Sequence, residues 1–95
     1  MAKFYVYIMT NGTGTTYVGM TNDIERRVRE HQEGLVHGFT SKYKIRYLVY
    51  YEEFKYVYDA LAREKQIKNW GTVKKKVLIS EANPKWEDLS KDWFG

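Results

Sequence analysis

Five side chains in this sequence have types and spacings that suggest chemistry: Tyr7, Tyr17, Arg27, His31 and Glu64. A tyrosine can stack on a base, donate a hydrogen bond or fill a core. Arg27 lies one helical turn after Ile24 and one turn before His31, which sets its stem at the rim of an apolar stripe made by Ile24, Val28, His31 and Leu35. Glu64 falls inside a second stripe, Val57, Ala60, Leu61, Ile67 and Trp70. A carboxylate there demands a cation, a metal or a shifted pKa, because burying an unpaired charge is costly. Each residue also has a structural reading. Arg27 could be a solvated helix arginine, His31 a satisfied core residue, and Glu64 a partner of an arginine such as Arg27 or a carboxylate reaching solvent at the edge of its stripe. What favours chemistry is that Arg27 and His31 fall on the helix following a two-tyrosine hairpin and should point back toward it.

The elements that must position these groups follow from periodicity. Phe4, Val6 and Ile8 alternate with Tyr5, Tyr7 and Met9, and Thr16, Val18 and Met20 alternate with Tyr17 and Gly19, the period of half-buried strands. The first strand is expected over about residues 3–9 and the second stops near Gly19 or Met20, with a Gly- and Asn-bearing turn between them. Pairing centred on Asn11-Gly12-Thr13 brings Tyr7 and Tyr17 near one another on one face, beside a glycine that leaves the backbone bare. Asn22 reads as an N-cap with Glu25 completing a capping box, so the first helix is expected from residue 23 to about 33, stopped by Gly34. Residues 35–43 read as a loop, since Gly34, His37, Gly38, Thr40 and Ser41 break any period. A third strand over 45–54 completes the sheet. Helices are expected over about 57–70 and 72–82, and Trp86, Leu89 and Trp93 repeat at the spacing of a short C-terminal packing helix over about 84–94. Lys42, Lys44 and Arg46 interleave with Tyr43, Ile45 and Tyr47, which would give one basic edge or face; such a strip could track phosphates or simply blunt a strand edge.

The expected fold is α/β of the α+β kind: a small three-stranded antiparallel sheet flanked by helices. The 95 residues are expected to form a single domain, 1–95, with a core over about 3–79. Without cysteine there is neither a disulfide framework nor a thiolate metal site. No apolar run has the length of a membrane span and no hydrophobic signal core opens the chain, so the expected location is the cytoplasm, away from membranes. The net charge of +4 fits a polyanionic partner without demanding one. The aromatic content of 17%, mostly tyrosine, says more.

Tyr5-Val6-Tyr7, the turn, Tyr17-Val18-Gly19, Arg27, His31 and Glu64 together resemble the GIY-YIG nuclease family in order and spacing. The family includes homing endonucleases, the incision subunit of bacterial nucleotide-excision repair and some restriction enzymes. The resemblance covers about residues 3–79, and Asn83-Pro84-Lys85-Trp86-Glu87-Asp88-Leu89 further resembles its small stand-alone bacterial members, of the UPF0213 type. Two positions depart from the pattern: Tyr5 replaces the glycine of the first motif, and Met20 stands where several members have lysine.

The resemblance implies a metal-dependent endonuclease hydrolysing DNA phosphodiester bonds, in repair or recombination. It places Tyr7 or Tyr17 as the group that deprotonates or positions the attacking water and Arg27 on the charge of the scissile phosphate. Glu64 would hold a single divalent metal, Mg²⁺ or Mn²⁺, and His31 matches a histidine of some members. Gly19, Arg27, Lys42, Lys44 and Arg46 are the candidate nucleic-acid contacts. DNA is the implied partner and RNA stays open. A partner protein would supply the target specificity that a chain this small has no second domain to provide. The rivals are a non-catalytic nucleic-acid-binding domain that keeps the constellation as a phosphate site, and a structural or protein-interaction domain in which Glu64 and Arg27 are an ion pair.

Overall fold

A computed structural model describes residues 2–36 and 38–94 of the chain. His37, assigned above to a loop, lies outside the described residues, as do the two ends of the expected 1–95 domain. The elements are β1 (Phe4–Thr10), β2 (Thr16–Thr21), α1 (Ile24–Gln32), α2 (Phe39–Lys42), β3 (Tyr47–Phe54), α3 (Val57–Lys68) and α4 (Thr72–Ala82). The strands form one antiparallel sheet in the order β2-β1-β3, the expected fold class.

Alternation along β1 divides the molecule into two cores. Val6 and Ile8 point to one face, where they pack with Val18, Val49, Ala60, Ile67 and Ile79 under α3 and α4. Tyr7 and Met9 point to the other and pack with Ile24, Val28, Ile45 and Leu48 beneath α1. Ile8 faces Tyr50 across the sheet while Met9 faces Leu48, so Val49 is an inserted bulge residue. Leu48 enters one core and Val49 the other, and the insertion lets Val49 and the next residue, Tyr50, pack on the same face.

α1 forms where its stripe predicts, with Ile24, Val28 and His31 buried, but its cap is one residue later than expected. The Asp23 carboxylate, not Asn22, accepts from the Arg26 N–H at 3.2 Å, and the Thr21 hydroxyl in turn accepts from the Asp23 N–H at 3.1 Å. Gly34, at φ 74°, ends the helix as expected, with its N–H on the His31 carbonyl. The stripe stops there too, because the chain has left the helix and Leu35 is exposed.

Two expectations fail for want of long-range information. The stretch read as a loop contains α2, anchored by the buried Thr40 and by a hydrogen bond from Ile45 N–H to the Thr40 carbonyl. The C-terminal segment is a series of turns, not a helix. Its tryptophans do pack on the domain, but its polar groups are spent on β3. Asp88 accepts from the Leu48 N–H at 3.2 Å, and the Leu89 N–H donates to the Leu48 carbonyl at 2.8 Å, which covers an edge strand. The Asn83 amide donates to the carbonyls of the bulge residue Val49 and of Glu87, and its oxygen accepts from the Glu87 N–H. A helix would have withheld these groups from the sheet.

Candidate active site

Register builds the site. Tyr7 faces Gly19 across β1 and β2, and Met9 faces Tyr17, so the two phenols are diagonal neighbours on one face, with ring centroids 6.3 Å apart. The centre of the hairpin is Thr13, one residue beyond the centre assumed from the turn sequence. The difference matters because it lays the Tyr7 ring over Gly19. A Cβ at Gly19 would come within 2.5 Å of Tyr7 Oη, 2.6 Å of its Cζ and 3.0 Å of Tyr17 Cε2. Only glycine leaves room for that phenol.

α1 closes the face. Tyr7 Oη and His31 Nε2 are hydrogen-bonded at 3.0 Å, and the His31 ring meets Tyr17 at 5.4 Å between centroids. Both partners of the bond are almost fully buried. Burial pushes the Tyr7 hydroxyl up to about 12, against the opposing pull of the Arg27 guanidinium beside it. Burial also pushes His31 down to about 4, with the positive charge of Arg27 acting in the same direction. At neutral pH the phenol therefore keeps its proton and the imidazole is uncharged. A neutral imidazole carries one N–H, so its tautomer sets whether the phenol donates to Nε2 or accepts from it; the other ring nitrogen, Nδ1, is buried with no hydrogen-bond partner among the described residues. Arg27 is charged at neutral pH like any arginine, and its pKa is raised first by the Tyr7 hydroxyl and further by Glu30 at 3.2 Å, against its burial. Arg27 also lines a cleft with Phe4, Met20, Thr21, Asn22 and Arg26 at the edge of the sheet. Tyr17, half-buried, is the phenol that solvent reaches.

Glu64 comes from the opposite layer. α3 packs over β1 and β2 on the other face of the sheet, and the Glu64 carboxylate is bonded to Lys68 at 3.5 Å, one turn along its own helix, with its side chain 17% exposed. Its charge still acts on Tyr7. The Glu64–Arg27 ion pair entertained from the sequence does not form: Arg27 pairs with Glu30 and Glu64 with Lys68. Among the described residues no group of three or more His, Cys, Asp or Glu side chains converges as a metal site. One carboxylate is a hard oxygen donor, which suits a cation that keeps most of its ligands as water and phosphate oxygen.

The basic strip does not hold as a single edge. Lys42 ends α2, Lys44 turns through the left-handed region at φ 54°, and Arg46 precedes β3, so no strand aligns them. Arg46 is spent on the framework, donating to the His31 carbonyl at the end of α1 and lying beneath Gly34. Residues that the sequence left unread complete the frame. Gln32 donates to the Arg46 carbonyl and to Ser90, tying α1 to the C-terminal turns. Phe39 stacks beside Tyr17 with ring planes at 26° and leads on to Tyr43. Asn83 and Asp88 gave a signal only through the motif they share with the small relatives. Nothing local marked Phe39, whose place depends on α2.

Comparison with known proteins agrees with this geometry. Residues 3–77 match the model of the GIY-YIG catalytic domain. Over 81 residues the chain is 40% identical to a UPF0213 protein of Staphylococcus saprophyticus, covering 85% of this chain and 99% of that one. A UPF0213 protein of Haloquadratum walsbyi is 40% identical over 77 residues, covering 81% and 86%. The solution NMR structure of a UPF0213 protein from Bacillus halodurans superposes with a TM-score of 0.60 at 27% identity, over 95% of this chain and 97% of that one. With the two-tyrosine hairpin, its glycine and the arginine helix all in place, the chain belongs to the GIY-YIG family, among its UPF0213 members.

Proposed function

We propose that this protein is a divalent-metal-dependent endonuclease that hydrolyses DNA phosphodiester bonds. The observation that carries the reading is the division of labour between the two phenols. Tyr7 is buried, protonated and fixed on His31, so it serves as the floor that orients its neighbours. Tyr17 lies at the open side of that floor, where its hydroxyl can hydrogen-bond to the attacking water and orient it. Arg27, charged beside the same floor and lining the cleft, offsets the negative charge that builds on the phosphorane-like transition state. Glu64 is the residue that would hold Mg²⁺ or Mn²⁺, whose chemistry there is Lewis-acid stabilisation of phosphate oxygens. His31 positions Tyr7. Gly19 admits the Tyr7 ring, and its buried backbone makes it part of the frame.

Nucleic acid is the substrate class that the family implies, and the excess of basic side chains is compatible with it. The test is cleavage of labelled duplex, single-stranded, nicked and branched DNA and of RNA, with Mg²⁺ or Mn²⁺, by wild type, Glu64→Ala, Arg27→Ala and Tyr17→Phe. Metal-dependent cutting is expected, with a loss of about 10³-fold in the Glu64 and Arg27 variants at unchanged thermal stability. Absence of cutting on every substrate, with wild type and Glu64→Ala binding equally, would instead make the cluster a phosphate site in a non-catalytic binding domain.

A further inference from the structure

The mechanism above leaves Phe39 and Tyr43 without a role, and their placement gives them one. The Phe39 ring lies along Tyr17 at 6.4 Å between centroids and 4.8 Å from the Tyr43 ring, so Phe39 joins the candidate site to a second exposed ring. Phe39 is 46% exposed and Tyr43 43%, although the segment that carries them is well anchored. Thr40 and Ile45 are its buried side chains. The Asn11 amide donates to the Tyr43 carbonyl at 3.1 Å, and the Arg46 N–H donates to the Thr10 carbonyl at 3.2 Å. Both bonds fasten the segment to the end of the hairpin. The core thus needs neither ring, yet both are held in place. Two cations accompany them. Lys42 Nζ lies 5.5 Å from the centre of the Tyr43 ring, and Lys44 is exposed immediately beyond it.

Aromatic faces interleaved with cations complement an unpaired strand, whose bases stack on rings while its phosphates meet the lysines. A duplex keeps its base faces within its own stack and would offer these rings only sugar and phosphate. We propose that the Tyr17, Phe39 and Tyr43 rings, with Lys42 and Lys44, form a shelf that binds an unpaired DNA strand beside the candidate site by stacking a base on Phe39. This rests on the nucleic-acid reading above and narrows it to DNA with unpaired nucleotides next to the bond to be cut.

Binding measured in the absence of divalent metal separates the shelf from the cleavage chemistry. Fluorescence anisotropy is read on a labelled single-stranded oligonucleotide and on the blunt duplex of the same sequence. Wild type should prefer the single strand. Phe39→Ala and Phe39→Leu should weaken single-strand binding about tenfold while changing duplex binding by less than about twofold, and Phe39→Trp should retain it. A 2-aminopurine in the strand should be quenched by wild type and by Phe39→Trp but not by Phe39→Leu, which keeps apolar bulk without a ring face. Equal binding of the two DNA forms by wild type, binding of neither, or a Phe39→Leu protein that binds and quenches like wild type would each overturn the shelf. Single-strand preference with quenching, in a protein that cuts nothing when Mg²⁺ or Mn²⁺ is added, supports the shelf and overturns only the hydrolysis.

Discussion

The two faces of the sheet are lined by alternate residues of the same strands, and they have opposite characters. Under α3 and α4 the buried side chains are aliphatic: Val6, Ile8, Val18, Val49, Ala60, Ile67 and Ile79. Under α1 the centre holds a phenol bonded to an imidazole, with a guanidinium beside them. The first face keeps its polar groups to the margin, where the Tyr50 hydroxyl donates to Glu52 and Arg63 pairs with that carboxylate. The second buries polar atoms and leaves one of them, His31 Nδ1, without a partner among the described residues, an arrangement that costs stability and is tolerated where groups must be held for a task. A period of two residues lets one strand serve both ends at once.

The contrast makes predictions that differ in kind as well as in size. On the aliphatic face, Ile67→Ala removes a side chain with no exposed surface and should cost about 3–4 kcal/mol in urea unfolding. That loss should be the same at pH 5 and pH 8, since the phenol packed against the cluster, Tyr50, is pushed up to about 12 by burial and stays protonated over that range. On the polar face the sign is set by His31. Its folded pKa of about 4 lies below the ordinary 6.5, so the unfolded chain binds the extra proton first. Stability is therefore full above about pH 6.5 and falls as pH drops toward 4, by roughly 3 kcal/mol at the low end. Unfolding titrations of wild type and His31→Leu should differ in slope across that window, and equal slopes would mean that the imidazole is not buried neutral. The smallest effect belongs to Gly19→Ala. The added methyl meets Tyr7 Oη and must displace a buried ring, at a cost of about 2 kcal/mol. Near-ultraviolet circular dichroism should change with it, because the phenol that moves is the one packed on His31.

How much of this was legible depends on the range of the interaction that decides it. The α4 bounds, Thr72–Ala82, were readable because Gly71 and Pro84 bracket a helical stretch. The stripe on α1 was readable because it repeats at helical spacing over one short segment. Arg46 was misjudged as part of a basic edge because nothing near it in sequence shows that its guanidinium would meet the His31 carbonyl. Asp88 fell within the expected C-terminal helix and drew notice only as part of a motif, whereas its carboxylate takes the backbone N–H of Leu48, forty residues away.

By itself the sequence determined which residues alternate or recur, and hence the three strands, the helices α1, α3 and α4, and the placing of Tyr7, Tyr17 and the α1 stripe on one face. Those properties follow from steric preferences and side-chain periods that act within a few residues. The tertiary structure decided which residue lies opposite which. It set Tyr7 on Gly19 instead of on Tyr17, put the bulge at Val49, brought Glu64 in on a helix packed over the opposite face while its charge still acts on Tyr7, and stretched the C-terminal turns along β3. Such choices depend on which arrangement buries both faces while pairing every strand edge, a condition that no local stretch of chain contains.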